Sequence, residues 1–238
     1  MAYTSVENVL YTFRMQLLIN KKILTFDCYG TLIDWDSGIQ AFLKMELSDF
    51  SLEQIEELRK KWEEIQFSLI LGPYIPYEDL LQESFQKTFA TFGYANKKNL
   101  GKKLVKKITA WKPFPDDHTI LSELQKRYQL AIISNGPQAI LKKNALAMNI
   151  HFDKILSAEQ IQAYKPSYRI FHYALDALGR PKNEILHIAA GYKYDILPTN
   201  ALGITNVWIN RKREPLPTTI TPDYEVFDLF GLKQLLQG

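Results

Sequence analysis

Four short apolar runs in this sequence each end in, or are followed by, a polar residue that could take part in catalysis. Asp27 follows the first run in TFDCYGTLIDW, and Ser134 ends the second in IISNGP. Lys165 lies in AYKPSYRIF and Asp195 in AAGYKYDIL, after the third and fourth runs. Each residue alone is a weak signal, since an Asp after a strand and a Ser-Asn-Gly sequence are both common in turns. These residues are a candidate catalytic set if the fold brings them together.

The apolar runs predict a parallel sheet that would gather the candidate residues. Five runs are rich in strand-forming residues and mostly apolar on both faces, as strands covered by helices are; they are ILTF (23–26), LAIIS (130–134), KILSA (154–158), ILHIA (185–189) and NVWI (206–209). Strands that alternate with helical patterns indicate an α/β fold with a doubly wound parallel sheet. One of these helices should carry Pro137 at its first position. Ligands of such sheets bind beyond the carboxyl ends of the strands.

The segment from residue 36 to residue 111 interrupts this alternation, because it contains no strand pattern. Ser51 and Gln54 form a capping box that predicts the start of a helix. Apolar residues recur at helical spacing in three stretches, of which the second ends with Phe92 and the third with Trp111. We therefore expect an all-helical insert at 36–111 within a core domain made of residues 1–35 and 112–238.

The composition is that of an ordinary globular protein, with 46% hydrophobic and 23% charged residues. The formal net charge of +3 is too small to indicate a nucleic-acid partner. The lysines between positions 97 and 107 read as a solvated helix face, since no aromatic or arginine partners are interleaved with them. No apolar run approaches the roughly 18 residues that a membrane span needs. We therefore expect neither a nucleic-acid nor a membrane partner.

Two further features bear on compartment and on the start of the chain. The single cysteine, Cys28, excludes an internal disulfide and fits a reducing, cytoplasmic compartment. We expect it to be a buried small residue, and expect structural or surface roles for His118, His151, His172 and His187. The first 22 residues lack the continuous apolar stretch and the small-residue cleavage site of a signal peptide. They are either an extra helix or contain, in residues 1–14, an extension upstream of a start at Met15, and the sequence leaves both open.

Taken together, the candidate motifs resemble those of the haloacid dehalogenase (HAD) superfamily across nearly the whole chain. FDCYGTLIDW, IISNGP, YKPSYRIF and HIAAGYKYDILPTNALGITNVWINR follow one another in the family's order. Within the superfamily they are similar to the type II (S)-2-haloacid dehalogenase branch. The resemblance implies a Rossmann-like core in which the helical insert is the family's cap domain.

Tyr29 separates this sequence from the phosphatases of the superfamily. Those enzymes carry a second Asp two residues after the nucleophile, which protonates a poor leaving group, whereas halide leaves as a stable anion. They also bind Mg²⁺ with an Asp at the position that Ala190 occupies here. The resemblance therefore implies a metal-independent hydrolase of small 2-substituted carboxylic acids, with dehalogenation as the type reaction and no cofactor.

The resemblance assigns a catalytic role to each of four residues. Asp27 would attack the halogen-bearing carbon from behind, forming an aspartyl ester and inverting the configuration at that carbon. Lys165 would keep Asp27 ionised, and Thr31 would hydrogen-bond around it. Asp195 would position or activate the water that hydrolyses the ester.

Four other residues would bind the small-molecule substrate. Ser134 and Asn135 would bind its carboxylate or the departing halide, and Arg59 of the insert would assist halide departure. Tyr29 would contact the substrate in place of the missing acid. Because members of the family are often dimers, a homodimer is an open possibility.

Three positions depart from the family pattern, and they keep alternative functions open. Ala190 and Tyr192 stand where well-studied members have Ser and Asn, and Phe171 replaces a Tyr. The nucleophile half of the mechanism is intact, but these changes bear on the substrate and on the second half-reaction. One alternative is a Mg²⁺-dependent phosphatase acting on a small phosphate ester. Another is a catalytically weak relative retained for binding.

Overall fold

The computed structural model describes residues 18–95 and 97–237, and in this part of the chain the predicted doubly wound α/β fold is confirmed. Six strands form one parallel sheet: β1 Ile23–Phe26, β2 Gln129–Ser134, β3 Lys154–Ser157, β4 Ile185–Ala189, β5 Asn206–Ile209 and β6 Tyr224–Val226. Their order is β3-β2-β1-β4-β5-β6. The chain order therefore reverses at β1, and such a reversal opens a crevice at the carboxyl ends of the central strands.

Burial explains both the strands that were predicted and the one that was not. β1, β4 and β5 are buried at every position, which accounts for their continuous apolar pattern. β6 has only three residues, and the middle one, Glu225, is exposed. A strand this short at the sheet edge has too little pattern to be recognised in a sequence.

Helices cover both faces of the sheet. Those of the core are Asp117–Leu124, Gln138–Met148, Ala158–Ile161, Tyr168–Leu178, Leu197–Ala201 and Leu229–Gln237, together with a 3₁₀ turn at Lys182–Glu184 and a π-helical turn at Tyr192–Ile196. The prediction for Pro137 is wrong by one residue, because Pro137 caps the helix that begins at Gln138. Its backbone is extended there (ψ 140°), so it precedes the first helical residue.

Four helices lie between β1 and β2, at Trp35–Glu46, Leu52–Ile70, Tyr77–Thr91 and Leu100–Ile108. The capping box is confirmed, since Gln54 N donates to Ser51 Oγ and Ser51 N donates to Gln54 Oε1. The last two helices end earlier than predicted. Phe92 follows the helix that ends at Thr91, and Trp111 lies beyond the helix that ends at Ile108. Trp111 instead packs edge-on against Trp35, with ring centroids 5.0 Å apart.

A shared apolar cluster joins the helical insert to the core. Leu81 and Phe85 of the insert belong to the same buried cluster as Ile133, Ile170 and Phe171 of the core. A second cluster, between one face of the sheet and the helices Asp117–Leu124 and Leu229–Gln237, anchors the sheet on that side. The insert is therefore held at a defined position relative to the strand ends.

Residues 1–14 and the alternative start at Met15 lie outside the described residues. Among the helices of residues 18–95 and 97–237, none is long and apolar enough to cross a membrane.

Candidate active site

Asp27 lies one residue beyond β1, at the strand where the sheet order reverses. Its carboxylate is buried and each oxygen has a donor: Thr31 Oγ1 donates to Oδ2 at 2.7 Å, and Lys165 Nζ donates to Oδ1 at 2.8 Å. Thr31 Oγ1 also accepts a hydrogen bond from the backbone N–H of Ala190 at 2.8 Å. The loop after β1 is thus fastened to the loop after β4, and the carboxylate is fixed between them.

Lys165 is 1% exposed, and its ammonium group bridges two carboxylates. Nζ lies 2.8 Å from Asp27 Oδ1 and 2.6 Å from Asp195 Oδ1. Asn135 fixes the backbone of Lys165, because Lys165 N donates to Asn135 Oδ1 at 2.7 Å and Asn135 Nδ2 donates to Lys165 O at 3.2 Å. The side chains that follow β1 and β4 therefore meet at one ammonium group, and the loop after β2 fixes the backbone that carries it.

Asp195 belongs to the π-helical turn Tyr192–Ile196 that follows β4. Besides Lys165, its Oδ1 atom contacts the imidazole Nε2 of His187 at 3.0 Å. His187 is a buried residue of β4, and its Nδ1 atom lies 2.9 Å from Thr25 Oγ1 of β1. The four predicted catalytic residues are thus brought together, and His187 joins them.

The pKa values of the two carboxyl groups in this cluster are shifted in opposite directions. Burial raises the pKa of Asp27, and the Asp195 charge adds to that rise, while Lys165 and Thr31 oppose it. For Asp195, burial would raise the pKa as well, but Lys165 and His187 outweigh burial and hold the pKa below its usual range. Burial would lower the pKa of Lys165, but the two carboxylates raise it, so the amine is charged. One cation therefore offsets two buried acids.

A cavity of about 590 Å³ opens above this cluster, between the strand ends and the helical insert. Asp27, Ser134 and Lys165 line its floor. Much of the remaining wall is aromatic and comes from both parts of the molecule, including Tyr29, Trp35, Tyr77, Phe114, Tyr194 and Trp208. Pockets with apolar walls and a few convergent polar groups are typical of small-molecule sites.

The predicted substrate-binding residues occupy different places. Tyr29, Ser134 and Asn135 line the cavity. The Tyr29 hydroxyl donates to Asn144 Oδ1 at 2.9 Å, so that the ring rather than the hydroxyl is available to a substrate. Arg59 is not among the residues that line the cavity, and its guanidinium pairs with Asp36, Glu56 and Glu63.

Buried Cys28 is confirmed as a small core residue. Its side chain is 0% exposed, and burial raises the pKa of the thiol well above its ordinary value. The thiolate, which is the nucleophilic form of cysteine, is therefore disfavoured at this position.

The site does not suit a hard divalent cation. Mg²⁺ is bound by oxygen ligands, chiefly carboxylates, but here the Lys165 ammonium group lies between the carboxylates of Asp27 and Asp195. Ala190 offers no side-chain ligand. Within residues 18–95 and 97–237 no group of three or more His, Cys, Asp or Glu side chains could hold a metal ion.

Sequence reasoning missed His187 because its partner is set by strand register. In the sheet His187 pairs with Thr25 across β1 and β4. Alternate residues of a strand share a face, so Thr25 and Asp27 lie on the side to which His187 points. Only the pairing of β1 with β4 at this register reveals that His187 can reach the cluster.

Comparison with known proteins places the chain in a family. The family model for haloacid dehalogenase-like hydrolases matches residues 21–203, so the chain belongs to that family, as the motifs indicated. It is 28% identical over 208 residues to (S)-2-haloacid dehalogenase 4A of Burkholderia cepacia, which covers 84% of this chain and 85% of the relative. The crystal structure of the L-2-haloacid dehalogenase RSc1362 matches 92% of this chain and 100% of its own, with a TM-score of 0.81 and 24% identity.

A nucleotidase matches a smaller part of the chain. Pyrimidine 5'-nucleotidase YjjG of Escherichia coli (strain K12) is 28% identical over 127 residues, which is 52% of this chain and 56% of that protein.

Gly191 provides the first test of the site geometry. A Cβ atom at this position would lie 2.6 Å from Asp195 Oδ2, so Gly191→Ala must displace the carboxylate. We expect kcat for the reaction at this site to fall about 100-fold, since a shift of about 1 Å in a catalytic group such as Asp195 has an effect of this size. Steady-state kinetics on a variant whose thermal unfolding matches the wild type would measure it, and an unchanged kcat would show that the position of Asp195 is unimportant.

Arg211, in the last motif of the sequence, supports the loop that carries Thr31. Its Nη2 atom donates to Thr31 O at 2.9 Å, and its guanidinium stacks 3.7 Å from the Phe114 ring centroid. Asp116 and Asp117 flank the guanidinium. Among the described residues, Asp117 Oδ2 is a buried atom with no hydrogen-bond partner. Burial raises the pKa of Asp117 to about 8, with Arg211 opposing the rise.

This buried carboxyl predicts a pH-dependent stability. Between about pH 4 and pH 8 the folded state keeps the proton that an unfolded Asp loses, so the free energy of unfolding falls as pH rises. Relative to Asp117→Asn, the wild type should lose up to about 1.4 kcal/mol per pH unit across this window. Urea unfolding at several pH values would measure the difference. Glu123→Gln, a solvent-accessible acid of the same helix, is the control, and an equal slope in the wild type and Asp117→Asn would refute the prediction.

Proposed function

We propose that this protein is a metal-independent hydrolase of small 2-substituted carboxylic acids, with (S)-2-haloacids as the type substrate. The observation that carries the proposal is the ammonium group of Lys165, which lies between Asp27 and Asp195 at the floor of the cavity. The relative from Burkholderia cepacia, named for this reaction, supports the same substrate class. The proposal extends the family assignment to a particular bond and mechanism.

In the first half-reaction an oxygen of Asp27 attacks C2 of the substrate from the side opposite the halogen. A C–O bond forms, the carbon–halogen bond breaks, and halide leaves with its electron pair. Both Asp27 oxygens are held by donors, so the carboxylate is oriented before the substrate arrives. Since halide is a stable anion, no proton donor is needed. Tyr29 fits this requirement, because its hydroxyl already donates to Asn144 and burial raises its pKa well above the usual value.

In the second half-reaction water attacks the carbonyl carbon of the aspartyl ester. Asp195 accepts a proton from that water, which its lowered pKa permits because the group is ionised in the free enzyme. The bond between the carbonyl carbon and the ester oxygen then breaks. That proton passes to the departing oxygen, giving a 2-hydroxy acid, and Asp27 is left as a carboxylic acid that loses its remaining proton to solvent to regenerate the carboxylate.

The substrate carboxylate would bind at Ser134. Its Oγ accepts a hydrogen bond from Gly136 N at 3.3 Å, which leaves the hydroxyl hydrogen to donate to the substrate. The ammonium charge of Lys165 offsets the repulsion between this anion and Asp27. We retain Arg59 as the group that assists halide departure; for this role its guanidinium must leave Asp36 and Glu63, two of its acidic partners, and turn into the cavity that they line.

A phosphatase activity is the second candidate, favoured by the match to the nucleotidase over half of the chain. One experiment separates the two. Purified protein in excess chelator is given (S)-2-chloropropionate or (S)-2-bromopropionate, and free halide is measured alongside phosphate release from a generic phosphate ester. We expect halide release that the chelator does not affect. Release of phosphate alone, abolished by chelator, would replace the proposal with a metal-dependent phosphatase.

A further inference from the structure

We infer that His187 is a positioning residue for Asp195 and controls the hydrolytic half-reaction, an inference that rests on the function proposed above. The His187 side chain is 1% exposed. Nε2 lies 3.0 Å from Asp195 Oδ1, Nδ1 lies 2.9 Å from Thr25 Oγ1, and the ring packs perpendicular to Phe171 with centroids 5.6 Å apart. Every polar atom of the imidazole is therefore engaged, and the ring is held by its neighbours.

The hydrogen bonds define what His187 can do. An ionised carboxylate only accepts hydrogen bonds, so Nε2 carries a hydrogen and donates it to Asp195. Nδ1 can then accept from the hydroxyl of Thr25, whose other acceptor, Leu186 O, is farther away at 3.4 Å. With both nitrogens occupied, the imidazole cannot take a proton from water directly. Its effect on the reaction passes through Asp195.

The two carboxylate oxygens of Asp195 have different hydrogen-bond environments. Lys165 and His187 both bind Oδ1, while no residue in the described part of the chain donates a hydrogen bond to Oδ2. Oδ2 lies beside Gly191, which with Asp195 lines the cavity. Oδ2 is therefore the oxygen that accepts the proton of the hydrolytic water. The two donors on Oδ1 keep the carboxylate from rotating this oxygen away.

The neighbouring positions explain why a histidine is needed here. Ala190 has only a methyl group, and the Tyr192 hydroxyl donates to Ile220 O on the other side of the loop. Neither side chain can orient Asp195. Lys165 contacts both Asp27 and Asp195, so it does not orient Asp195 independently of the nucleophile. His187 is the one donor in the described structure that serves Asp195 and not Asp27.

Two variants separate orientation from packing. His187→Phe keeps an aromatic ring against Phe171 but has no donor, while His187→Gln keeps an N–H that can reach Asp195. In rapid-quench experiments with (S)-2-bromopropionate, the halide burst reports ester formation and the 2-hydroxy acid reports ester hydrolysis. We expect His187→Phe to form ester at the wild-type rate and hydrolyse it about 10- to 100-fold more slowly, the effect of one lost charge-assisted hydrogen bond. His187→Gln should recover most of the loss.

Three outcomes would overturn the inference: unchanged hydrolysis in His187→Phe, equal slowing of both half-reactions, or no recovery in His187→Gln. A second measurement needs no substrate. In ¹³C NMR titrations, with Asp195→Asn used for assignment and with Lys165 and Asp27 present as the other charges facing the group, the pKa of Asp195 should rise in His187→Phe and return in His187→Gln. If the wild type releases no halide, the proposed function fails, and an Asp195 pKa unchanged by His187→Phe would separately refute the inference.

Discussion

Asp27→Asn should abolish turnover, lowering kcat for halide release by about 10⁴-fold or more, as loss of a covalent nucleophile does in other enzymes. The amide is nearly isosteric with the carboxylate, so the hydrogen bond from Thr31 and the packing of the loop can persist. It lacks the negative charge that attacks carbon. Lys165 keeps Asp195 as its ion-pair partner in this variant, so the fold should be retained.

Glu214→Gln is the matched control for this change. Glu214 is an exposed acid that lines the same cavity, and its conversion to an amide removes one charge without touching the cluster. We expect near wild-type kcat for it in the same halide assay. Substantial turnover by Asp27→Asn, or a comparable loss in Glu214→Gln, would mean that Asp27 is not the nucleophile.

Lys165→Met should have the second largest effect, a loss of about 10²- to 10³-fold in kcat/KM, the size expected when a preorganised charged contact to the reacting groups is removed. Methionine fills a similar volume but leaves Asp27 and Asp195 facing each other without a cation. The pKa of Asp27 should then rise further, so the acidic limb of the pH–rate profile moves to higher pH. Kinetics from pH 5 to 9 would measure both effects.

Lys21→Met controls for the loss of a buried lysine as such. Lys21 Nζ donates to Asn183 O, Ile185 O and Thr205 Oγ1, at the opposite end of the strands from Asp27. We expect this variant to lose stability but to keep its kcat. If Lys165→Met kept a tenth or more of wild-type activity, the lysine would be a structural residue only.

The fold could be predicted from the sequence because its signals are local. Strands such as Ile23–Phe26 are buried on both faces and read as apolar runs, and the capping box at Ser51 marks the start of its helix. The predicted limits of the insert, residues 36–111, stay a prediction. Its apolar cluster continues into the core without a break, and its first helix begins at Trp35.

The candidate site was only partly predictable, since its contacts join residues far apart in the chain. Motif order indicated that Asp27, Lys165 and Asp195 would converge. It could not show that both polar atoms of the Asn135 side chain hydrogen-bond to the backbone of Lys165. Nor could it show that Arg59 pairs with three neighbouring acidic side chains. Such pairings depend on rotamers and on register rather than on residue type.

The most direct test of the central claim is mass spectrometry of the trapped intermediate. Asp195→Asn removes the group that accepts the proton of water, and it leaves Asp27 paired with Lys165 and with one repulsive charge fewer. After incubation with (S)-2-bromopropionate in excess chelator, acid quench and digestion, we expect an ester adduct on the peptide that carries Asp27. An unmodified Asp27, or an adduct on another residue while halide is released, would contradict it.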